Sequence, residues 1–317
     1  MDLYMIFPIS GVRILVFLPP LVAFAVSFFA SMGGVSGAFL LLPFQVSFLH
    51  FVSPSVSSTN FVYNIIAIPS GVYRYIREGR MAWPLAWILI LGTLPGVFLG
   101  YYIRVIYLPN PKAFRLFVGC VLLYVGARLL LELFREIRKG GDPGFKQQNI
   151  MHEISINGLP LNLPMQPKVK TVSCSLKALE YEFCGRKFSF GTPRMLALAF
   201  VVGIIGGAYG IGGGSIIAPF CVTFFELPVY TVAGAALLST FLTSIAGVFF
   251  YSVMPASAGI STSPDWSLGI FFGLGGFVGM YCGARLQKFV PQKLIKTMLC
   301  LILVFLAVSY IASFFRG

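Results

Sequence analysis

The stretch GGAYGIGGGSIIAPF, at residues 206–220, holds six glycines in its first nine positions and then an apolar run that ends in proline and phenylalanine. A related stretch, GGVSGAFLLLPF, occupies residues 33–44. One constant offset aligns three pairs within them, Gly34 with Gly210, Gly37 with Gly213 and Pro43 with Pro219. The repetition indicates that the chain contains two copies of one unit, each organised around a glycine-rich stretch.

The composition is that of an integral membrane protein. The 317 residues are 57% hydrophobic and only 10% charged, with a mean hydropathy of +0.88. That much apolar surface cannot be hidden inside a soluble globule. Apolar stretches of about 20 residues recur along the chain, which is the length a helix needs to cross the hydrocarbon core. They lack the alternation of a barrel strand, so the pattern favours α-helices.

We predict an all-α membrane protein, a duplicated polytopic helical bundle with five apolar segments on each side of a polar middle region. The segments lie at about 14–32, 38–52, 56–73, 83–103 and 114–134, and at 195–209, 214–227, 229–252, 266–286 and 295–314. A second, slightly larger offset aligns Trp83 with Trp266, Gly96 with Gly279 and Gly100 with Gly283. We therefore expect a first membrane repeat at 1–135, an insert at 136–193 and a second membrane repeat at 194–317.

Loop charges indicate that the two copies have opposite orientations in the membrane. The loop after the third segment carries Arg74, Arg77 and Arg80, whereas its counterpart at 253–265 carries no Lys or Arg. Because Lys and Arg favour the cytoplasmic side, we expect inverted repeats with the insert in the cytoplasm. Alternating patterns at 168–172 and 179–190 predict short strands, and hence a small β-rich insert.

The glycines at residues 210–214 are too dense for a continuous helix, since each costs up to about 1 kcal/mol against alanine. We expect the helix to break there, and broken backbone at membrane depth must be buried in protein or line a watery cavity. The next helix would begin near Ser215 with free amides and a positive dipole end, which suits an anion. The glycine-rich stretches give these candidate substrate-binding residues: Gly34, Ser36, Gly37, Gly210, Gly212, Gly213, Gly214 and Ser215. The alternative is that the glycines only permit close helix packing.

Polar side chains on the segments after each glycine-rich stretch complete the candidate site. Asn60 and Asn64 are four residues apart and share one helix face, and Thr240 aligns with Asn64 at the offset that aligns the glycine-rich stretches. Because unpaired amides are costly in lipid, these groups should face the bundle interior. They either contact substrate or hydrogen-bond between helices.

The sequence lacks the signatures of an enzyme, a metal site and a nucleotide cofactor. It contains no H-E-x-x-H, G-x-S-x-G or C-x-x-C, and no Lys-Ser or Lys-Thr follows the glycines as a phosphate-binding loop requires. About half of the basic surplus lies in loops where membrane topology favours it. We therefore expect neither a cofactor nor a nucleic-acid partner.

The paired stretches at 33–44 and 207–220 resemble those of the sulfite exporter TauE/SafE family of membrane permeases. The second copy fits the G-x-G-G-G-x-x-x-x-P signature of that family closely, whereas the first has Ser36 and Ala38 where glycines are expected. The resemblance covers both halves but not the insert. It implies a duplicated bundle that moves sulfite, sulfonates or related organic anions.

From the residues and the resemblance together we expect a secondary transporter of the cell inner membrane that moves a small sulfur-containing anion outward. Uptake of a sulfonate or carboxylate is an alternative. A membrane sensor or scaffold, whose insert binds a cytoplasmic partner, is another. The sequence does not identify the coupling ion. It also does not decide whether the protein is a monomer or a homo-oligomer.

Overall fold

The protein is a bundle of α-helices with two small antiparallel sheets. The computed structural model describes residues 4–32, 35–138, 169–175, 177–183, 186–225, 227–254, 261–287, 294, 297, 300–301, 304–305 and 307–312. Its helices are α1 (Leu18–Met32), α2 (Ala38–Ser47), α3 (Ser55–Arg77), α4 (Trp83–Tyr102), α5 (Pro111–Arg138), α6 (Thr192–Tyr209), α7 (Gly214–Phe225), α8 (Val229–Val253) and α9 (Trp266–Leu286). The strands are β1 (Tyr4–Ile6), β2 (Arg13–Leu15), β3 (Lys170–Cys174), β4 (Ala178–Phe183) and β5 (Arg186–Gly191).

Four helices of the described residues are long and apolar enough to cross a membrane. They cover Trp83–Tyr107, Thr192–Tyr209, Thr231–Val253 and Trp266–Leu286. By contrast, α2 has 10 residues and α7 has 12. At about 1.5 Å per residue these two are too short for a hydrocarbon core about 30 Å thick.

The predicted segments overlap helices α1 to α9 in order, and within the tenth, 295–314, the described residues 297, 300–301, 304–305 and 307–312 are helical. The number of full crossings and the duplication into two sets of five stay predictions. The start of the first segment is wrong. Residues 14 and 15 belong to β2, which pairs with β1, and α1 begins at Leu18.

Glycines bring two pairs of helices into backbone contact. Gly92, Gly96 and Gly100 of α4 lie against the backbone of α6, and Gly275, Gly279 and Gly283 of α9 lie against that of α1. A Cβ atom at Gly96 would overlap the carbonyl oxygen of Phe200, and one at Gly279 would overlap that of Phe24. Small residues at this spacing allow close helix approach in lipid, where dispersion rather than water expulsion holds helices together.

The insert forms a three-stranded sheet in the order β3-β4-β5, which confirms the prediction of a β-rich segment. Leu179, Tyr181 and Phe183 alternate along one buried face of β4. The Tyr181 hydroxyl and the Thr231 hydroxyl of α8 are 2.8 Å apart. Burial raises the pKa of the Tyr181 phenol well above its usual range, and the hydrogen bond to Thr231 partly opposes this. The phenol therefore stays neutral in the contact between sheet and bundle.

The sheet marks one end of the bundle, which we call the insert face. The amide of Val169 donates to the carbonyl of Gly79, in the turn just before α4 begins. The other end of α4 therefore lies at the opposite face. The β1–β2 hairpin is also at the opposite face, because Ser10 donates from its amide and hydroxyl to Asp265, the residue that caps the start of α9.

Replacing Gly96 with valine should destabilise the protein by about 3 kcal/mol, because the added side chain overpacks a backbone contact that has no room to yield. Gly191→Val is the matched control, since a Cβ at Gly191 meets only the Cδ of Arg194, at 3.9 Å. Thermal unfolding of both purified variants in one detergent measures the difference. Equal midpoints would show that the α4–α6 contact is not tightly packed.

Candidate functional site

Both glycine-rich stretches interrupt helices at the middle of the bundle. A Cβ at Gly213 would lie 2.5 Å from the Cβ of Thr93, which is near the midpoint of α4. In the first stretch Gly37 lies against Ser27 and Tyr63, and Gly276 of α9 faces the same two side chains. Since Gly276 is near the midpoint of its own helix, both breaks lie at similar depth.

The second break runs from Gly210 to Gly213. Gly210 and Gly212 have left-handed backbone, with φ of +86° and +76°, so glycine is required at both positions. The amides of Gly210 and Ile211 both donate to the carbonyl of Gly206, and the Ser215 amide reaches the Gly212 carbonyl at 3.4 Å.

The start of α7 leaves backbone donors unused. The amides of Gly212, Gly213 and Gly214 have no acceptor among the residues that the structure describes. A helix start generally leaves its first N–H groups without intrahelical partners. Three neighbouring buried donors with no acceptor are a natural seat for an anion.

The first break caps one of its amides with its own side chain, while the amides of Ser36 and Gly37 have no acceptor among the described residues. The Ser36 hydroxyl accepts from the Ala38 amide at 3.2 Å and donates to the Oδ1 atom of Asn64. Ser36 thus caps the start of α2 in the way that short polar side chains commonly cap helices. Gly34 lies outside the described residues, so the structure gives no account of that predicted contact.

Asn64 of α3 joins the two breaks. Its Oδ1 atom accepts from Ser36 in the first break, and its Nδ2 atom donates to the Ile211 carbonyl in the second, at 3.1 Å. The same Nδ2 atom donates to the Ser244 hydroxyl of α8, also at 3.1 Å. One buried amide therefore fixes the distance between both interrupted helices.

The predicted residues Ser215 and Thr240 lie together on the other side of the second break. The Ser215 hydroxyl donates to the Ile211 carbonyl at 2.8 Å and is 3.3 Å from the Thr240 hydroxyl. Thr240 in turn donates to the carbonyl of Ala236 in its own helix. Gly212 and Gly214 both pack on Thr240, which leaves no room for larger residues.

Asn60 does not share this network. Its Oδ1 atom accepts a hydrogen bond from the Nε2 atom of Gln45, a residue of α2, at 2.6 Å. The remaining polar atoms of the pair, Asn60 Nδ2 and Gln45 Oε1, are buried and have no hydrogen-bond partner among the described residues. The pair thus offers one free donor and one free acceptor in the interior.

Sequence reasoning undervalued three contributors, Gln45, Ser57 and Ser244. Gln45 follows Pro43 within α2 and hydrogen-bonds to Asn60. Ser57 packs on Gly210, and its hydroxyl is 3.4 Å from the carbonyl oxygens of Ala208 and Tyr209. No local pattern sets these three apart, because the partners of Ser57 and Ser244 are on helices far away in the sequence and the partner of Gln45 is on the next helix.

Fold and site together define a multi-pass membrane protein in which neutral side chains and helix-end backbone surround the two helix breaks, as in transporters with broken helices. The chain belongs to the sulfite exporter TauE/SafE family, whose profile matches residues 20–310. It is therefore a membrane transporter, with a small-molecule substrate and the lipid bilayer as its surroundings, and not an enzyme.

Known relatives are also transporters by name. The chain is 22% identical over 291 residues to the probable membrane transporter protein YunE of Bacillus subtilis, which covers 89% of this chain and 92% of the relative. It is 27% identical over 132 residues to the probable membrane transporter protein MJ0441 of Methanocaldococcus jannaschii, which covers 40% of this chain and 45% of that one. No solved structure matches the chain.

Gly210→Ala should abolish transport and lower stability more than Gly11→Ala does. Both glycines have positive φ, +86° and +67°, so alanine costs about 1 to 2 kcal/mol of backbone strain at either position. Only Gly210 is packed on the backbone of Ser57, whereas a Cβ at Gly11 has open space around it. Comparing the thermal unfolding of the two variants separates the effect of backbone strain from the effect of the packing contact with Ser57. An equal loss in both variants would mean that the contact between break and α3 contributes nothing.

Proposed function

We propose that this protein is a secondary transporter that moves a small sulfur-containing oxyanion, such as sulfite or an organosulfonate, outward across the cell inner membrane. The observation that carries the proposal is the set of acceptor-free amides at Gly212, Gly213 and Gly214, buried at the middle of the bundle. The family name supports the choice of sulfite, and export is the direction that this name gives.

An oxyanion suits the chemistry of these amides. Its oxygens accept hydrogen bonds and carry negative charge, so they match backbone N–H groups at the positive end of α7. The free Nδ2 donor of Asn60 adds to the same interior. The proposed substrate-binding residues are Gly34, Ser36, Gly37, Asn60, Asn64, Gly210, Gly212, Gly213, Gly214, Ser215 and Thr240.

Alternating access between inverted repeats is the proposed mechanism. Each repeat would contain five segments, at 1–135 and 194–317, with the insert at 136–193 in the cytoplasm. The equivalent contacts of α4 with α6 and of α9 with α1, made by glycines that align at one common offset, support this arrangement. Packed helix pairs that move as rigid bodies around a fixed site are the usual form of this mechanism.

Sulfite flux in proteoliposomes tests the proposal. Wild-type protein should move sulfite, and one of the competitors sulfate, thiosulfate or a sulfonate should inhibit it. Gly213→Val should reduce the flux at least about tenfold, because overpacking of this kind shifts the backbone that would hold the anion. Gly191→Val should keep wild-type flux. Folded wild-type protein that moves none of these anions would overturn the proposal.

Asn64→Ala should lower both flux and stability, because it leaves Ser36, Ser244 and the Ile211 carbonyl without their shared partner. Losing one member of a buried network costs about 1 to 3 kcal/mol for each group left unpaired. Thr243→Val is the control, since that hydroxyl donates only to carbonyls of its own helix. Flux and unfolding temperature are measured on both variants. An Asn64→Ala protein as active as the control would show that the link between the breaks is dispensable.

A further inference from the structure

Arg104 is a fully buried cation at the opposite face of the bundle. It lies in the π-helical turn Ile103–Tyr107 that extends α4, and its exposed fraction is 0%. Its Nη2 atom donates to the Val52 carbonyl at 3.2 Å, its Nη1 atom donates to the Leu108 carbonyl, and its guanidinium is stacked 3.5 Å from the centre of the Phe114 ring. A π-helical turn within a helix often marks a functional position.

The charge of Arg104 is not neutralised. Within the described ranges no carboxylate forms an ion pair with it, and its Nε atom is buried without a partner. A guanidinium has more N–H donors than two carbonyls can occupy. Carbonyl oxygens and a ring face carry no net negative charge, so they do not neutralise a buried cation. Among the described residues Arg104 therefore has no anionic partner.

The residue of the second half that aligns with Arg104 can be compared with it directly. Gln287 aligns with Arg104 at the same offset as the packing glycines of α4 and α9. Its Oε1 atom accepts from Tyr75 and from Arg80, and its Nε2 atom donates to the Met32 carbonyl. Arg80 is also buried, but it forms an ion pair with Glu78. The cation at the insert face thus has a carboxylate, and the cation at the opposite face has none.

Arg104 is next to the second helix break. Tyr251, which aligns with Tyr75 at the offset of the glycine-rich stretches, donates to the Gly207 carbonyl near the end of α6. The Tyr251 ring also packs on that of Tyr101, three residues before Arg104, with ring centroids 4.9 Å apart. Because Gly207 is three residues before Gly210, these two tyrosines connect the helical turn of Arg104 to the glycine break.

We propose that Arg104 binds the transported anion at a second position, between the glycine break and the membrane surface opposite the insert. This inference rests on the proposed transport function and names a residue on the path of the transported anion. The ligand class is an oxyanion with at least two oxygens, since the planar guanidinium favours bidentate contacts. In the resting protein the two carbonyls and the Phe114 ring hold the guanidinium in position for that contact.

Arg104→Gln is the decisive variant, because the second half of the chain carries glutamine at the aligned position. Arg115→Gln is its matched control, since it removes the same charge from the residue next to Phe114 but from a side chain that is only partly buried. Calorimetric titration of the purified proteins with sulfite, and separately with sulfate, at constant ionic strength gives affinity and stoichiometry. Flux in proteoliposomes gives kcat and KM.

Wild-type protein should bind two anions, and Arg104→Gln should bind one, with KM for sulfite raised at least about tenfold by the lost charge-assisted contacts and kcat less affected. Arg104→Lys, which keeps the charge without the planar fork, should fall between the two. Arg115→Gln should match wild type. Wild-type stoichiometry and KM in Arg104→Gln, or an equal loss in Arg115→Gln, would overturn the second position.

The two proposals fail separately. Folded wild-type protein that moves no anion, yet binds sulfite or sulfate in a way that Arg104→Gln removes, would overturn the transport function and keep the Arg104 site. Wild-type flux that Arg104→Gln leaves unchanged in KM would keep the transport function and overturn the site. If Arg104→Gln does not fold, Arg104→Lys decides, and wild-type stoichiometry and KM in that variant would overturn the site.

Discussion

The link that Asn64 makes between the two helix breaks is the interaction on which the rest of the interior depends. Backbone released from a helix at membrane depth must find partners within the protein. Asn64 supplies partners to both breaks at once, through Ser36 on one side and the Ile211 carbonyl on the other. Moving either break relative to α3 would cost at least one of these buried hydrogen bonds, so the two halves of the chain are mechanically joined at this residue.

Around that link, glycine determines how closely the helices approach. Gly203 and Gly207 of α6 lie against the carbonyl oxygens of Thr93 and Val97, each 2.6 Å from where a Cβ would be. Any larger residue at these two positions would push α6 away from α4 and move the second break out of contact with α3.

The sequence was sufficient to predict most of the helices, because apolar runs with proline and glycine at their ends indicate where helices begin and end. The glycines that align the two halves, Gly96 with Gly279 and Gly100 with Gly283, are also the ones that make the helix contacts. Sequence reasoning failed at the first segment, where the apolar residues before Leu18 form a hairpin rather than a helix. Hydropathy alone does not distinguish the two.

The sequence predicts correctly that Asn60, Asn64 and Thr240 face the interior, but it does not predict their hydrogen-bond partners. Asn64 and Ile211 are 147 residues apart, and nothing local predicts that an asparagine will donate to a distant carbonyl. Arg104 directly follows the predicted segment 83–103, which would place it in a loop. The π-helical turn instead extends the helix past Tyr102 and buries the guanidinium. Burial of a charge depends on how neighbouring helices pack, which a single sequence does not record.

The two breaks differ in what they leave unpaired, and this difference bears on how the site would work. In the first break the Ser36 hydroxyl satisfies the Ala38 amide, so that helix start is capped by the protein itself. The residue aligned with Ser36 is Gly212, which has no side chain to do the same. Without a capping hydroxyl, the backbone amide at this helix start stays available to a ligand that enters the interior. Among the described residues the second copy therefore has three neighbouring amides without an acceptor, at Gly212, Gly213 and Gly214, whereas the first has two, at Ser36 and Gly37.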